Sequence, residues 1–145
     1  MTASIRRAVP DDWRQIEALL VAAALPLDGA REAFHTGFVA EIDGHIVGTA
    51  ALELFDTAAL LRSVAVEATR RGEGLGRRLV DAAVANARDR HLSSVFLRTT
   101  TAPSFFTRCG FVMTARSDVP ASVQQSVEFH SACPASATDL VMQLQ

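Results

Sequence analysis

The chain has no tyrosine, one tryptophan and two cysteines among its 145 residues. Without tyrosine, no phenol is available as a proton donor at any site. The two cysteines, Cys109 and Cys133, form no cluster of the metal-binding kind, and no metal is expected. So few thiols, in no framework, read as a reduced, cytoplasmic protein. No apolar run approaches the ~20 residues that cross a bilayer, so no membrane partner is expected. The N-terminus carries no apolar core of a secretory leader. Charge of one sign is also missing. The formal net charge is −2, which leaves no basic field for nucleic acid.

What is present suits one folded domain spanning residues 1–145. Hydrophobic residues make up 49% and charged residues 21%, the balance of a globular chain with its own core. A domain of this length buries roughly 68–70% of its unfolded surface.

The most informative stretch runs from residue 60 to 78. It reads as a buried strand ending in Val64, Ala65 and Val66, an arginine-bearing loop, and a helix start. The loop holds Arg70, Arg71, Gly72, Glu73, Gly74, Leu75 and Gly76. Glycines let a backbone approach a ligand closely. Free N–H groups at a helix start attract phosphate, and Arg71 adds a full charge. The spacing is not that of a dinucleotide fingerprint, because Leu79 stands where the third glycine is needed. No Gly-Lys-Ser/Thr follows, so it is not a P-loop. It fits R-x-x-G-x-G as Arg71, Gly74 and Gly76.

The rest of the chain alternates strands and helices. Residues 4–8 read as a strand. Pro10, Asp11 and Asp12 suit a helix start, and Trp13, Ile16, Leu20 and Ala24 mark one amphipathic helix. Residues 25–36 are a loop or short helix carrying Asp28, Arg31, Glu32 and His35. Residues 37–43 and 45–55 form two strands joined by the turn signal Asp43-Gly44. Residues 60–66 form the next strand, and 74–90 the next helix, with Leu79, Val80, Ala83, Val84 and Ala87 on one stripe. Residues 94–100 complete a strand–helix–strand crossover and hence a parallel pair. A short helix over 102–109 stops at Gly110. Strands at 110–115 and 137–144 and a helix at 120–129 finish the chain.

At Arg71, Gly74 and Gly76 the chain resembles the GNAT superfamily of acetyl-CoA-dependent N-acetyltransferases. A second signature, Ala102, Phe105, Phe106, Gly110 and Phe111, matches the late motif of that superfamily. The resemblance implies an α/β (α+β) single domain with a mixed, mostly antiparallel sheet. A central parallel strand pair splays apart, and helices flank the sheet. Thr99, Thr100 and Thr101 before that motif resemble the acetyltransferase domain of N-acetylglutamate synthases. Asp118-Val119-Pro120, residues 131–136 and residues 59–63 look similar to small bacterial acetyltransferases associated with arsenic resistance.

The resemblance implies an acyltransferase that moves acetyl from acetyl-CoA to the amine of a small amino acid or amino-acid-like toxin in a ternary complex. A protein or peptide acceptor, and a non-catalytic coenzyme-A-binding regulator, are kept as alternatives. Members of the superfamily are often homodimers. The 71–76 loop, namely Arg71, Gly72, Glu73, Gly74, Leu75 and Gly76, would hold the pyrophosphate, with Phe105 beside the cofactor. The main chains of Val64 and Val66 would hold the pantetheine arm, and Val64 the thioester oxygen. Residues 25–36 would form one wall of the acceptor site. The usual tyrosine acid falls at Phe106, which has no proton to give. Water, Ser104 or Thr100 would protonate the thiolate, or it leaves unprotonated, as a thiol pKa of ~8.5 permits.

Glu53 is the leading candidate base, acting through water, ahead of Glu41 and His45. Arg62 and Arg98 sit in strands that otherwise read as buried. A buried guanidinium needs an anion, and an acceptor carboxylate or similar oxyanion suits it. Thr100 is grouped with them as substrate-binding. The competing expectation is an internal salt bridge to Glu53 or Asp56. Cys109 is expected to be an apolar helix-end residue.

Overall fold

The computed structural model describes residues 2–126 and 137–144. Seven strands form one sheet: β1 (Ser4–Arg7), β2 (Phe38–Ile42), β3 (His45–Leu54), β4 (Ala58–Val66), β5 (Ser94–Thr99), β6 (Val112–Met113) and β7 (Thr138–Gln143). Their order across the sheet is β1-β2-β3-β4-β5-β7-β6. Every neighbouring pair is antiparallel except β4 and β5. The helices are α1 (Trp13–Ala22), α2 (Ala30–Ala33), α3 (Leu75–Asp89), α4 (Pro103–Arg108) and α5 (Ala121–Gln124).

Alternation along the central strands sorts side chains between two layers. Leu61 and Leu97 point toward α3 and join Leu79, Val80, Ala83 and Val84 in the larger core. Leu60 and Phe96 point the other way and pack with Val119 and Val123. On that second face, Ile16 and Leu20 of α1 and Ala33 of α2 cover Val39, Ile46 and Ala51. The stripe expected on α3 is therefore its buried face.

Two details of the sheet shape the site. The parallel ladder begins at Ala58↔Ser94 and ends at Leu61↔Leu97. Past that pair β4 runs on to Val66 and β5 to Thr99, so the strands part as expected. On its other side β4 bulges. Thr49 pairs with Ala65 and Ala51 with Arg62, so Ser63 and Val64 stand opposite Ala50 alone. The bulge is made by Ser63 at φ 59, and the Thr49 hydroxyl donates to the Ser63 carbonyl at 2.9 Å.

The hairpin at Asp43-Gly44 forms as expected, both residues at positive φ (50 and 83). Three elements differ from expectation. The first helix stops at Ala22 rather than running to Ala24, because Ala24 turns left-handed at φ 56. The Leu25 N–H then reaches back to the Leu20 carbonyl at 2.9 Å, and that of Ala24 to Val21 at 3.0 Å. This left-handed turn ends the helix. The strand expected over 110–115 shrinks to Val112–Met113. Gly110, at φ 104, and Phe111 are spent on ending α4, with the Phe111 N–H donating to the Phe106 carbonyl at 3.1 Å. The helix expected over 120–129 is seen as Ala121–Gln124. Gln125 and Ser126 turn out of it, and residues 127–129, like residues 131–136 with Cys133, lie outside the described residues.

Candidate active site

The 71–76 loop carries its glycines for the hand of the backbone rather than for crowding. Gly72 and Gly74 sit at φ 86 and 81, and a Cβ on either meets nothing within 4 Å. The loop therefore has open space above it. Gly74 precedes the first residue of α3, and no side chain caps that helix. The first bond of α3 in this turn is the Arg78 N–H to the Gly74 carbonyl, at 3.2 Å. The N–H groups of Leu75, Gly76 and Arg77 precede it and have no acceptor within the helix. Gly76 has a different reason: a Cβ there would stand 3.1 Å from Cζ of Phe105.

A cleft of about 450 Å³ opens where the strands part. One end is the loop, contributing Arg70, Arg71, Gly72 and Gly76. Its floor is the bulged end of β4, from Leu61 to Val66. Leu97 to Thr101 and Ala102, Phe105 and Phe106 close one side, and Ala24, Leu25 and Pro26 the other. Thus Val64, Val66, Arg71, Gly72, Gly76, Phe105, Arg62, Arg98 and Thr100 meet in one cavity, as does Phe106. Phe106 packs edge-on against both Phe105 and Phe111, at 5.0 and 6.1 Å between ring centres. The Arg71 Nε lies 3.4 Å from the Val66 carbonyl, a long contact.

Other expected residues fall elsewhere. Leu75 turns into the core. Glu73 and Gly74 are exposed and, like Ser104, do not line the cavity. Glu53 does not line it either; its Oε1 accepts from Nη1 of Arg62 at 2.7 Å. Glu41 accepts from Nε of Arg6 at 2.7 Å. His45 is exposed and lines a separate surface cavity with Asp43 and Glu67. Of the segment expected to wall the acceptor site, only Leu25 and Pro26 line the cavity, with Ala24 before them, and the charged residues do not. Asp28 and Glu32 are exposed, and Arg31 lies 5.7 Å over the Trp13 ring beside His35.

The arginines have internal partners. Arg62 is answered by Glu53, one of the two acids expected. Arg98 is answered by Asp139, which was not: Nε and Nη2 donate to its two oxygens at 2.7 and 3.1 Å. The pair is set by register, since Arg98 lies directly across from Asp139 on β7. A lone acid in an otherwise apolar strand was the signal that could have revealed it. Thr99 was also missed; its hydroxyl accepts from the Ala102 N–H at 3.1 Å and bends the chain into α4. Cys109 is buried, and burial pushes its thiol up from its ordinary value. Among the described residues no group of three His, Cys, Asp or Glu could hold a metal ion. No helix among them is long and apolar enough to cross a membrane.

The profile of the acetyltransferase (GNAT) domain matches residues 33–113, more than half of the chain and all of the splayed strands, loop and α4. The chain is a GNAT acetyltransferase. Solved structures agree with the fold. Rv2747 from Mycobacterium tuberculosis, crystallised in complex with CoA and NLQ, is 28% identical over 98% of this chain and 99% of its own, with a TM-score of 0.83. N-acetylglutamate synthase from Neisseria gonorrhoeae, complexed with coenzyme A and N-acetyl-glutamate, superposes on all of this chain at TM-score 0.85 and 23% identity. This GNAT chain spans only 36% of that synthase. YncA from Salmonella typhimurium, solved with acetyl-CoA, gives a TM-score of 0.72 at 21% identity over the whole of this chain and 95% of its own.

Proposed function

We propose that this GNAT enzyme transfers acetyl from acetyl-CoA to the amine of a small amino acid or an amino-acid-like compound. The observation that carries this reading is the joining of the open 71–76 amides, the parted strands and the cationic side chains in one cleft. The whole-length likeness to Rv2747, solved with CoA and NLQ, supports it.

In this reading the amides of the loop and first turn of α3 grip the pyrophosphate, with Arg71 alongside. The pantetheine arm lies along Val64–Val66, where β4 has no partner on the β5 side. The Val64 N–H meets the thioester oxygen, where negative charge develops as the amine attacks. Phe105 and Phe106 form an apolar side that keeps water from the thioester. The amine enters past Ala24–Pro26. Its carboxylate is met by the Thr100 hydroxyl and by Arg98, which lines the cleft while two of its nitrogens hold Asp139. Glu53 lies outside the cleft lining and accepts from Arg62, so it takes the amine's proton only through intervening water. No acid replaces the absent tyrosine. The carbon–nitrogen bond forms, the carbon–sulfur bond breaks, and the thiolate leaves as such or is protonated by water.

The test is thiol release from acetyl-CoA with a panel of amino acids, arsenical and phosphinic mimics, and peptides. Release with free amino acids or their mimics is the expected outcome. Release with peptides alone replaces this acceptor class with protein N-termini or lysines. Tight coenzyme A binding by calorimetry, without turnover on any amine, makes the protein a coenzyme-A-binding regulator.

A further inference from the structure

Sequence reasoning sets Arg62 beside Arg98 as a ligand for the acceptor's carboxylate. Its geometry assigns it other work. The side chain is 0% exposed. Its guanidinium reaches three separate pieces of the fold: Nε donates to the Ser63 hydroxyl at 3.2 Å, Nη1 to Glu53 Oε1 at 2.7 Å, and Nη2 to the Pro26 carbonyl at 3.2 Å. Ser63 makes the β4 bulge, Glu53 lies on β3, and Pro26 is the last residue of the acceptor wall.

Gly29 roofs this cluster. A Cβ there would stand 3.3 Å from Arg62 Nη1 and 3.6 Å from Glu53 Oε1, and its φ is +72. The far end of the same segment is tied separately, with the Thr36 hydroxyl donating to the Leu52 carbonyl at 2.6 Å. Between these ties Leu27 and Asp28 are exposed. Beyond Asp28 the segment is packed on the sheet through Ala30, Ala33 and Phe34, and the polar tie nearest the cleft, at Pro26, is a charged latch.

We infer that Arg62 is a positioning residue: it sets the acceptor site by fastening the Ala24–Pro26 wall to the β4 bulge, and it does not hold the acceptor's carboxylate. A guanidinium suits this task because its planar fork can satisfy a carboxylate, a hydroxyl and a carbonyl together. Lysine, a single point charge, cannot hold all three. Misplacing one wall by about 1 Å is enough to cost up to ~100-fold in a reaction that depends on orientation.

The inference rests on the cleft being the acetyl-transfer site, and the test separates the two. Arg62→Lys and Gly29→Ala are compared with wild type, the second because it crowds the latch while keeping both charges. The first readout is hydrogen exchange of the amides over 24–33, which needs no acceptor. Faster exchange there in both variants, with 71–76 unchanged and coenzyme A affinity within about two-fold, is expected. Unchanged exchange over 24–33 in both variants overturns the latch. The second readout is KM for an amino acid and for its decarboxylated amine. A rise of about 10-fold or more, by the same factor for both, supports positioning. A rise for the amino acid alone overturns it and makes Arg62 a direct carboxylate ligand. If neither compound turns over while exchange behaves as expected, the acceptor class is wrong and the latch stands.

Discussion

Every basic side chain other than histidine in this protein is arginine; lysine is absent. At two buried positions that choice has a structural reading, because Arg62 and Arg98 each bind with more than one nitrogen. The Arg98–Asp139 pair is the more deeply enclosed, with side chains 2% and 6% exposed. Attraction between buried charges roughly offsets the cost of drying them, so the pair adds little net stability. Removing one partner is different, because it strands the other charge. Asp139→Asn is expected to lower unfolding free energy by about 3–5 kcal/mol, while Arg98→Met with Asp139→Leu costs markedly less. Urea denaturation of the three proteins checks this. An Asp139→Asn midpoint equal to wild type would mean that the aspartate is not the main counter-ion of Arg98.

At the level of elements, the entry to α1 depends on a charge cluster. Asp12, just before α1, is buried, and both its oxygens accept from the Arg6 guanidinium, at 2.8 and 2.9 Å. The Val9 N–H donates to it as well, at 2.8 Å. The bonds from Arg6, and then the one from Val9, hold the Asp12 carboxyl below its ordinary value against the opposing effect of burial. Arg6 is correspondingly raised and stays charged. The sign follows from linkage. A carboxyl depressed in the folded state stabilises fully above its unfolded pKa of about 3.9 and loses that contribution as pH falls through it toward the folded value. The urea midpoint of wild type should therefore exceed that of Asp12→Asn by a constant amount from about pH 5 to 8 and converge on it below about pH 4. A gap that persists unchanged into acid would assign the stabilisation to something other than the ionised carboxylate.

The same elements show what the sequence could and could not reveal. Glycine spacing exposed the loop because only glycine takes positive φ cheaply, as Gly72 and Gly74 do, while at Gly76 a side chain would crowd Phe105. The α3 stripe was legible because its period is local. The stop at Ala24 was not, since alanine carries no left-handed preference and the turn is marked only by the backbone bonds it makes. The same holds for Ser63, whose positive φ exists only because β3 and β4 pair out of step. Asp139 lies 41 positions from Arg98, and only the β5–β7 register brings them together. Local pattern marked the 71–76 end of the cleft, while the end under Ala24–Pro26 depends on contacts distant in sequence.

Over the whole molecule, the 71–76 loop, proposed to hold the pyrophosphate, joins the β4–α3–β5 crossover to an open surface, so binding there should stabilise the entire domain. Leu75, immediately after Gly74, is anchored in the core with Leu79 and Leu61. A ligand that binds only the folded chain at 100 times its dissociation constant adds about 2.7 kcal/mol. For a domain of this size each kcal/mol moves the midpoint by roughly 2–4 °C, so coenzyme A should raise it by about 5–10 °C. Gly74→Glu separates this effect from folding. The new Cβ meets nothing within 4 Å, so the variant is strained only by its φ of 81, at about 1–2 kcal/mol. Its midpoint without ligand should fall by several degrees and the chain should still fold. The shift on adding coenzyme A should vanish, because a carboxylate now stands beside the amides proposed to take the pyrophosphate. Scanning calorimetry of both proteins, with and without coenzyme A, reads all four values. A variant that folds and keeps the full ligand shift would move the pyrophosphate away from this loop.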